Sequence, residues 1–443
     1  MLSKPSSLPR DFSSSLGARF AVLLGIVLAL AIPVQLISGL VAERALNQKH
    51  AERTVMNSWG GPISVASPVL IVPVRETFKV ASPDADAVHF RDRHRPAAPI
   101  ILTPTTTVTD VDVKSTMRSV GIYDIPVFTA DFFIQSRFET TSLTRLTDNE
   151  TPIWDEAVLA LPLPPKQVFS GDFLGQVNGA DVAFRTGMPG GITSGLSAIV
   201  GDIRDQDIAL KFGLRGADQL EFRHIAQATE LSVQSDWPHH RNFGRFLPDI
   251  TPAEGGANWT LSHLNSTFAA EQRGSDPRIV FADDVGTFGV KLIDPINLYR
   301  KAERATKYAI LFIALTFLTV FLLEITGRKP VHPVQYLLIG LAQSVFFLLL
   351  LALAEHLGFG LAYLAAMTAT ITLLGYYGRA ALELGRRVWL LVCTLALLYA
   401  VMFLILKSAD YALLSGSVLA FVALAATMAI TARANWSWQS KTA

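Results

Sequence analysis

Apolar positions fall into long uninterrupted runs near the two ends of the chain and into short alternating runs between them. The first long run, Phe20–Ala42, has 23 residues without a charge. That length lets a helix cross about 30 Å of hydrocarbon. It exceeds the roughly 7–15 apolar residues of a cleaved signal peptide, and Leu40 and Ala42 would form a poor cleavage pair. The pattern predicts an uncleaved transmembrane helix over residues 20–42.

Five further apolar runs follow one another in the last third of the chain. Each is close to the roughly 20 residues that a membrane-spanning helix needs. Five buried helices of a soluble protein would be unusual in such direct succession. The predicted spans are Tyr308–Thr326, Val334–Ala354, Leu357–Tyr377, Val388–Leu406 and Tyr411–Thr431. They predict a bundle of five transmembrane helices over residues 308–431, and six spans in all.

Residues 43–307 contain no apolar run long enough to span a membrane, and here the pattern changes to a period of two. Val111 and Val113 alternate with charged neighbours, and the same alternation recurs at Gln219–Arg223, Glu230–Gln234 and Phe288–Leu292. Such alternation is typical of antiparallel sheets with one buried face. Three stretches are predicted to separate the strands as turns or loops: Pro189–Gly191, Gly255–Gly256 and the polar stretch Ser82–Pro99. The region is predicted to be a β-sandwich or a pair of β-subdomains.

The return of the chain to the membrane carries a helix-start signal. Asp294 followed by Pro295 suits an N-cap and a first helical position. A helix beginning there would run through residues 296–307 directly into the second span. Glu303 and Lys307 are spaced to pair on one face of that helix. We therefore expect residues 294–307 to couple the β-rich region rigidly to the bundle.

Basic residues in short loops predict the orientation, because they favour the cytoplasmic side. If the N-terminus is cytoplasmic, ten basic residues fall on the cytoplasmic side, and only Lys407 falls in a short loop on the outside. The ten are Lys4, Arg10, Arg19, Arg328, Lys329, Arg379, Arg386, Arg387, Arg433 and Lys441. Four basic residues oppose this assignment: Arg300, Lys301, Arg304 and Lys307. Long translocated domains largely escape the rule, so the prediction is a cytoplasmic tail (1–19), a periplasmic β-rich domain (43–307) and a second cytoplasmic tail (432–443).

Composition and motifs narrow the function. Only 17% of the residues are charged and the net charge is +1, which fits a protein in a lipid bilayer and excludes a strongly basic nucleic-acid binder. Cys393 is the only cysteine, so no disulfide can form within the chain. No phosphate-binding loop, zinc-protease motif or nucleophile elbow occurs. The prediction is a protein without enzymatic activity and without a cofactor.

A metal site and an intramembrane polar path are two competing hypotheses. His239 and His240 lie in an acidic segment, but adjacent histidines on a strand point to opposite faces, which favours a structural loop held by Trp237, Phe243 and Phe246. Thr368, Thr370 and Thr372 could line a path through the fourth span, although backbone hydrogen bonds are the more ordinary role for such residues. We predict no metal.

Five longer stretches carry a family resemblance: LYRKAERATKYAILFIALTF at Leu298–Phe317, His332–Tyr336, Glu355–Phe359, Ser58–Pro73 and Ser235–Pro248. Together they resemble the CreD family of inner-membrane proteins. The last stretch departs from the family pattern, because His240 replaces a proline. The resemblance implies a role in cell-envelope integrity and in stress or β-lactam tolerance, and it supplies no catalytic residues.

The function predicted from the residues, taken together with this resemblance, is that of a non-enzymatic adaptor or scaffold, with the lipid bilayer and an envelope component or another membrane protein as partners. The alternative is a transporter or lipid-handling protein that uses the bundle. Candidate functional or coupling residues are Trp59, Pro62, Glu303, Arg304, Glu324, His332, Gln335, Glu355 and His356.

Overall fold

The computed structural model describes residues 16–84, 87–139, 143–165, 167–237, 239–251, 255–266, 268–274, 276–281, 286–292, 298–327, 331–407 and nine positions between 414 and 428. The chain divides into two compact units. A helical unit comprises Met1–Lys49 and Ile296–Ala443, and a β-rich unit comprises His50–Pro295.

Five helices of the described residues are long and apolar enough to cross a bilayer. They are α1 (Leu16–Trp59), α2 (Leu298–Gly327), α3 (Pro333–Leu357), α4 (Phe359–Ala380) and α5 (Val388–Lys407). The first five predicted spans are thereby confirmed as helices. The sixth, Tyr411–Thr431, lies mostly outside the described residues, and those of its positions that are described are helical.

Helix α1 is longer than its predicted span, with 44 residues. Within its apolar part, Leu28, Ile32 and Leu36 are exposed and follow one another at a spacing of four, whereas Leu30 and Val34 are buried. A spacing of four places residues on one helical face. The exposed apolar face is the one that we expect to contact lipid, and the buried face packs on the other helices.

Helix α2 begins, in the described residues, at Leu298 and runs through Lys307 without a break into the predicted span. The expected pair of Glu303 with Lys307 is confirmed, with a Nζ–Oε1 distance of 2.9 Å. The helix-start signal at Asp294-Pro295 lies outside the described residues.

The β-rich unit contains nineteen strands in its described residues. They are β1 (Ile63–Ala66), β2 (Val69–Asp84), β3 (Ala87–Leu102), β4 (Thr106–Val120), β5 (Tyr123–Arg137), β6 (Glu150–Pro152), β7 (Val158–Leu161), β8 (Val168–Phe169), β9 (Leu174–Val177), β10 (Ala180–Val182), β11 (Arg185–Met188), β12 (Ile192–Ile199), β13 (Asp207–Ala217), β14 (Gln219–Arg223), β15 (Ala228–Ser235), β16 (His240–Gly244), β17 (Gly256–Leu261), β18 (Glu271–Arg273) and β19 (Thr287–Leu292).

The strands form three sheets in the described part of the chain. Their orders are β1-β14-β19-β16, β10-β9-β13-β5-β4-β15-β17 with β8 beside β13, and β11-β12-β7-β2-β3-β18 with β6 beside β2. All four alternating segments lie in strands, namely in β4, β14, β15 and β19. Burial alternates as expected, most regularly along β15. Buried apolar residues of all three sheets, among them Leu70, Phe132 and Phe288, form one shared core. The unit is thus a single β-rich body.

The prediction of a turn or loop at Ser82–Pro99 is wrong. Apart from residues 85–86, which lie outside the described residues, this stretch belongs to the hairpin of β2 and β3, which pair from Leu70↔Leu102 to Asp84↔Ala87. The outer half of the hairpin pairs with no third strand among the described residues. The described side chains of this outer half, at positions 76–80 and 90–96, are exposed or half-buried and none of them belongs to the core. The other two turn signals are confirmed: Gly190, Gly191, Gly255 and Gly256 all have positive φ.

Candidate functional site

Two buried or half-buried carboxylates lie on neighbouring helices of the helical unit, Glu324 near the end of α2 and Glu355 near the end of α3. Each meets an arginine of α1 and a tyrosine of another helix. We call these groups the Glu324 cluster (Arg19, Glu324, Tyr336) and the Glu355 cluster (Arg44, Tyr299, Glu355). Both glutamates were candidates from the sequence, and the structure shows what surrounds them.

The Glu324 cluster uses both oxygens of one carboxylate. Arg19 Nη1 lies 2.9 Å from Glu324 Oε1. The Tyr336 hydroxyl donates to Glu324 Oε2 at 2.8 Å. Glu324 and Tyr336 are 8% and 2% exposed. A carboxylate removed from water is costly unless charged and hydrogen-bonding partners compensate it, and both kinds of partner are present here.

The Glu355 cluster is looser. The Tyr299 hydroxyl donates to Glu355 Oε1 at 3.1 Å. Arg44 Nε lies 3.9 Å from the same oxygen. Tyr299 is buried, whereas the Arg44 side chain is 42% exposed. This ion pair is therefore weaker than the one at Glu324 and more accessible to water.

The two clusters hold helix α1 at two widely separated points. Arg19 and Arg44 are 25 positions apart, which corresponds to about 38 Å along an α-helix. A bilayer measures about 30 Å across its hydrocarbon and 40–45 Å with its headgroups. The spacing of the two arginines therefore matches the thickness of a bilayer, and we expect the clusters near its two interfaces, where charged side chains are tolerated. Their geometry fixes the depth and the rotation of α1 within the unit.

A close helix contact lies between the two clusters. Gly340 of α3 faces Leu30 of α1, and a Cβ atom added at Gly340 would overlap Leu30 Cδ1 and lie 3.0 Å from Phe317 Cζ. Small residues let transmembrane helices approach closely. Gly340 therefore leaves a gap on α3, the Gly340 notch, into which Leu30 of α1 packs.

Polar side chains are also buried near the middle of the helices. Gln343 Nε2 donates to Thr316 Oγ1 at 2.7 Å, and both residues are buried. The Tyr363 hydroxyl donates to the Tyr399 carbonyl oxygen at 2.6 Å. Thr368 and Thr370 donate to backbone carbonyls one turn earlier, as the ordinary role of such residues predicts. The Gln343–Thr316 bond links α2 with α3, and the Tyr363–Tyr399 bond links α4 with α5.

Trp59 ends α1 and anchors its last turn in the β-rich unit. Arg118 and Arg215 lie over the indole, with their Cζ atoms 4.2 and 4.9 Å from the ring centroid. Trp59 Nε1 donates to the Phe128 carbonyl oxygen at 3.4 Å. Gly60 follows with φ +135°, and a Cβ there would overlap the Arg215 carbonyl oxygen. Val55 and Ala51, one and two turns before Trp59, pack in a cluster with Ile125, Val127 and Ala217.

The remaining candidates have mainly structural surroundings. The Pro62 carbonyl oxygen accepts from Gln167 Nε2 at 3.2 Å. His332 and Gln335 form a reciprocal cap at the start of α3, and Gln335 Nε2 also donates to the Ala381 carbonyl oxygen. Arg304 Nε donates to the Arg300 carbonyl oxygen at 3.4 Å. Glu303 and His356 are exposed. The structure does not bring these residues into one site with Glu324.

No group of three potential metal-ligating side chains occurs in the described part of the chain. His239 is exposed and His240 begins strand β16, with Phe243 on the same strand. Trp237 and Phe246 pack against the core as expected. Among the histidines whose burial is described, His224 is the most buried, and its nitrogens lie within hydrogen-bond distance of Thr229 Oγ1 and the Ser262 carbonyl oxygen. Burial lowers the pKa of the His224 imidazole, so it stays neutral and structural.

Sequence reasoning missed the partners of the two glutamates and the notch. Arg19 and Glu324 are 305 positions apart, and no local pattern connects them. A usable signal was the position of Arg19 and Arg44 at the two ends of one apolar run. Gly340 lies within an otherwise bulky apolar helix, which is the other signal for a close helix contact.

Comparison with known proteins places this architecture in a family. A family model described as inner membrane protein CreD matches residues 15–437. The inner membrane protein CreD of Escherichia coli (strain K12) is 32% identical over 431 residues, which cover 94% of this chain and 92% of that protein.

Two solved structures of yeast leukotriene A4 hydrolase overlap 48% of this chain and 35% of their own, at 8% and 7% identity with TM-scores of 0.22 and 0.21. These overlaps are too weak to carry any inference. The match over nearly the full length, together with five apolar helices and a β-rich unit, leads to one conclusion: the chain belongs to the CreD family of inner membrane proteins.

Proposed function

We propose that this protein supports cell-envelope integrity, including tolerance of stress and β-lactams, as a non-enzymatic adaptor. In this proposal both termini are cytoplasmic and residues 43–307 lie in the periplasm, as the basic residues predict. The β-rich unit engages an envelope component or another membrane protein, and the helical unit holds it in the inner membrane.

The observation that carries the proposal is the continuity of α1. Its first part is held in the helical unit by the Glu324 and Glu355 clusters and the Gly340 notch. Its last turns are packed on strands β5 and β13 and end at Trp59, whose indole contacts Arg118 and Arg215. A continuous helix fixed at both ends transmits force and rotation, whereas a flexible linker does not. Such a connection suits an adaptor whose two parts act together.

Leu46→Pro is expected to abolish envelope tolerance while both units remain folded. Leu46 lies between the two fixed ends of α1 and is 56% exposed, so its replacement removes little packing. Proline removes one helical hydrogen bond and clashes with the preceding turn, at a cost of about 3 kcal/mol or more. The measurement is survival under β-lactam in a strain that carries only the variant, at matched protein levels.

Leu46→Ala is the matched control, because it truncates the same exposed side chain and keeps the helix. It should preserve tolerance. Full tolerance with Leu46→Pro would show that α1 does not couple the two units and would refute the adaptor mechanism proposed here.

The transporter alternative is favoured by one observation, the buried pair of Gln343 with Thr316 at mid-depth in the helices. Polar groups in such a position often mark transport pathways. In the adaptor proposal this pair only fastens α2 to α3.

Gln343→Leu separates the two functions. The change keeps a similar volume and replaces a buried amide with an apolar group, and a hydrogen bond between transmembrane helices contributes only about 0.6 kcal/mol on average. The adaptor proposal therefore expects tolerance and protein level to stay unchanged. Loss of tolerance with a normal protein level would favour transport through the bundle.

A further inference from the structure

The outer half of the β2–β3 hairpin carries a row of arginines on one face. Arg91, Arg93 and Arg95 alternate along β3, so their side chains share a face and repeat about every 7 Å. Arg95 is neutralised, because its Nε and Nη2 donate to the Glu76 carboxylate at 2.7 and 3.0 Å. Arg91 and Arg93 are exposed, and neither forms an ion pair within the described part of the chain. The row therefore offers two uncompensated positive charges.

The same part of β3 has a free edge. Thr77 N donates to the Asn149 carbonyl oxygen at 2.8 Å, so the backbone groups of Thr77 point away from β3. Hydrogen-bonded and non-hydrogen-bonded pairs alternate along an antiparallel ladder. The N–H and C=O groups of His94, which pairs with Thr77, and of Asp92, two positions further along, therefore point away from β2. Strand β18 pairs with β3 only at residues 100–102, and no other described strand covers this edge.

Charge and edge geometry together select the strand that can be added here. An open edge is a template for another strand, and charged side chains along it exclude most candidates. A second copy of this hairpin would bring arginines opposite arginines, which is destabilising. An extended segment with an acidic residue at every second position has the same repeat of about 7 Å and would place carboxylates beside Arg91 and Arg93. Pro96 has no N–H and ends the usable edge.

We propose that an acidic segment of a partner protein adds as an extended strand to the free edge of β3 at residues 90–95. Backbone hydrogen bonds to Asp92 and His94 hold the segment, and its carboxylates pair with Arg91 and Arg93. The inference rests on the proposed adaptor function, for which it names a docking surface and the chemistry of the partner.

The test measures how a short fluorescent peptide that alternates Glu and Thr binds the full chain in nanodiscs, by fluorescence anisotropy at low salt. Saturable binding is expected, and a peptide that alternates Lys and Thr should not bind. The double variant Arg91→Glu with Arg93→Glu should weaken binding about tenfold or more, because attraction at two cross-strand pairs becomes repulsion. The matched control is Arg185→Glu with Arg241→Glu, at exposed positions of other strands. It changes the net charge equally and should leave binding unchanged.

Asp92→Pro tests the backbone contact separately from the charge. The Asp92 N–H points to the free edge, so proline removes no hydrogen bond within the hairpin, and edge strands tolerate proline. The change also removes a negative charge, so charge attraction alone predicts tighter binding of the acidic peptide, whereas strand addition predicts a loss. Asp92→Ala is the matched control and should bind at least as tightly as the unchanged chain.

Absence of saturable binding by the Glu-Thr peptide, or equal binding by the Arg91→Glu, Arg93→Glu variant, would overturn the proposal. Binding that Asp92→Pro does not weaken would show charge attraction without an added strand and would likewise overturn it. The adaptor function is tested separately, by the envelope tolerance of Leu46→Pro, so a failure of one is distinguishable from a failure of the other.

Discussion

Gly340→Ala is expected to destabilise the helical unit, whereas Gly360→Ala is expected to stabilise it. Both glycines lie in helices, and replacing a helical glycine by alanine normally contributes about 1 kcal/mol of stability. At Gly340 the added Cβ would overlap Leu30 of α1, while at Gly360 nothing lies within 4 Å. Overpacking of a close contact costs about 1–3 kcal/mol. The two variants should therefore change stability with opposite signs.

The shift of the unfolding midpoint, measured by titrating SDS into mixed micelles, provides the comparison. The pair is a matched control, because the chemical change is the same and only the neighbour differs. A stabilising shift for Gly340→Ala equal to that for Gly360→Ala would show that α1 does not pack in the Gly340 notch.

Glu324→Ala is expected to be the most damaging truncation of a charged side chain in the helical unit. It leaves Arg19 without its carboxylate and the buried Tyr336 hydroxyl without its acceptor. Breaking a buried ion pair costs about 3–5 kcal/mol. The Arg19 side chain is 43% exposed and can be solvated, which reduces the expected loss to about 2 kcal/mol. The same SDS titration measures it.

Glu303→Ala is the matched control, since Glu303 forms an exposed pair with Lys307 on the same helix. It should cost only a few tenths of a kcal/mol. The double variant Arg19→Glu with Glu324→Arg should recover part of the stability that either change alone removes. Equal midpoints for Glu324→Ala and Glu303→Ala would contradict the assigned role of the Glu324 cluster.

The transmembrane helices were predictable because lipid imposes a simple requirement, a run of about 20 apolar residues. The tail of α1 from residue 43 to Trp59 was not predicted, because its composition is polar and it lies beyond that run. A signal was nevertheless present: Ala51, Val55 and Trp59 follow one another at a spacing of four and form the face that packs on the β-rich unit.

The strands were predictable where one face is buried, as at Gln219–Arg223, which matches β14 residue for residue. The β2–β3 hairpin was misread because its outer half pairs without burying a face. Half of residues 82–99 are polar or charged, and the stretch looks like a loop when only the period of two is considered. Strand pairing depends on backbone hydrogen bonds, so it cannot be recognised from the side chains of such a sequence.

The candidate site was predictable only in part. Glu324 and Glu355 stood out because carboxylates near apolar spans are costly. Among their partners, Arg19, Tyr299 and Arg44 come from distant parts of the chain and Tyr336 comes from the following helix, so only tertiary packing identifies them. His332 and Gln335 attracted attention as part of a family motif, and the structure gives them the role of a helix cap.

The central claim is that α1 is one rigid helix across the region that joins its two fixed ends, and a distance between spin labels tests it most directly. Labels at Leu36→Cys and Asn57→Cys, both exposed positions, would be placed in the Cys393→Ser background in nanodiscs. A continuous helix separates these positions by 21 residues, or about 32 Å. A narrow distribution near that distance is predicted. A broad distribution, or one centred well below that distance, would contradict the account.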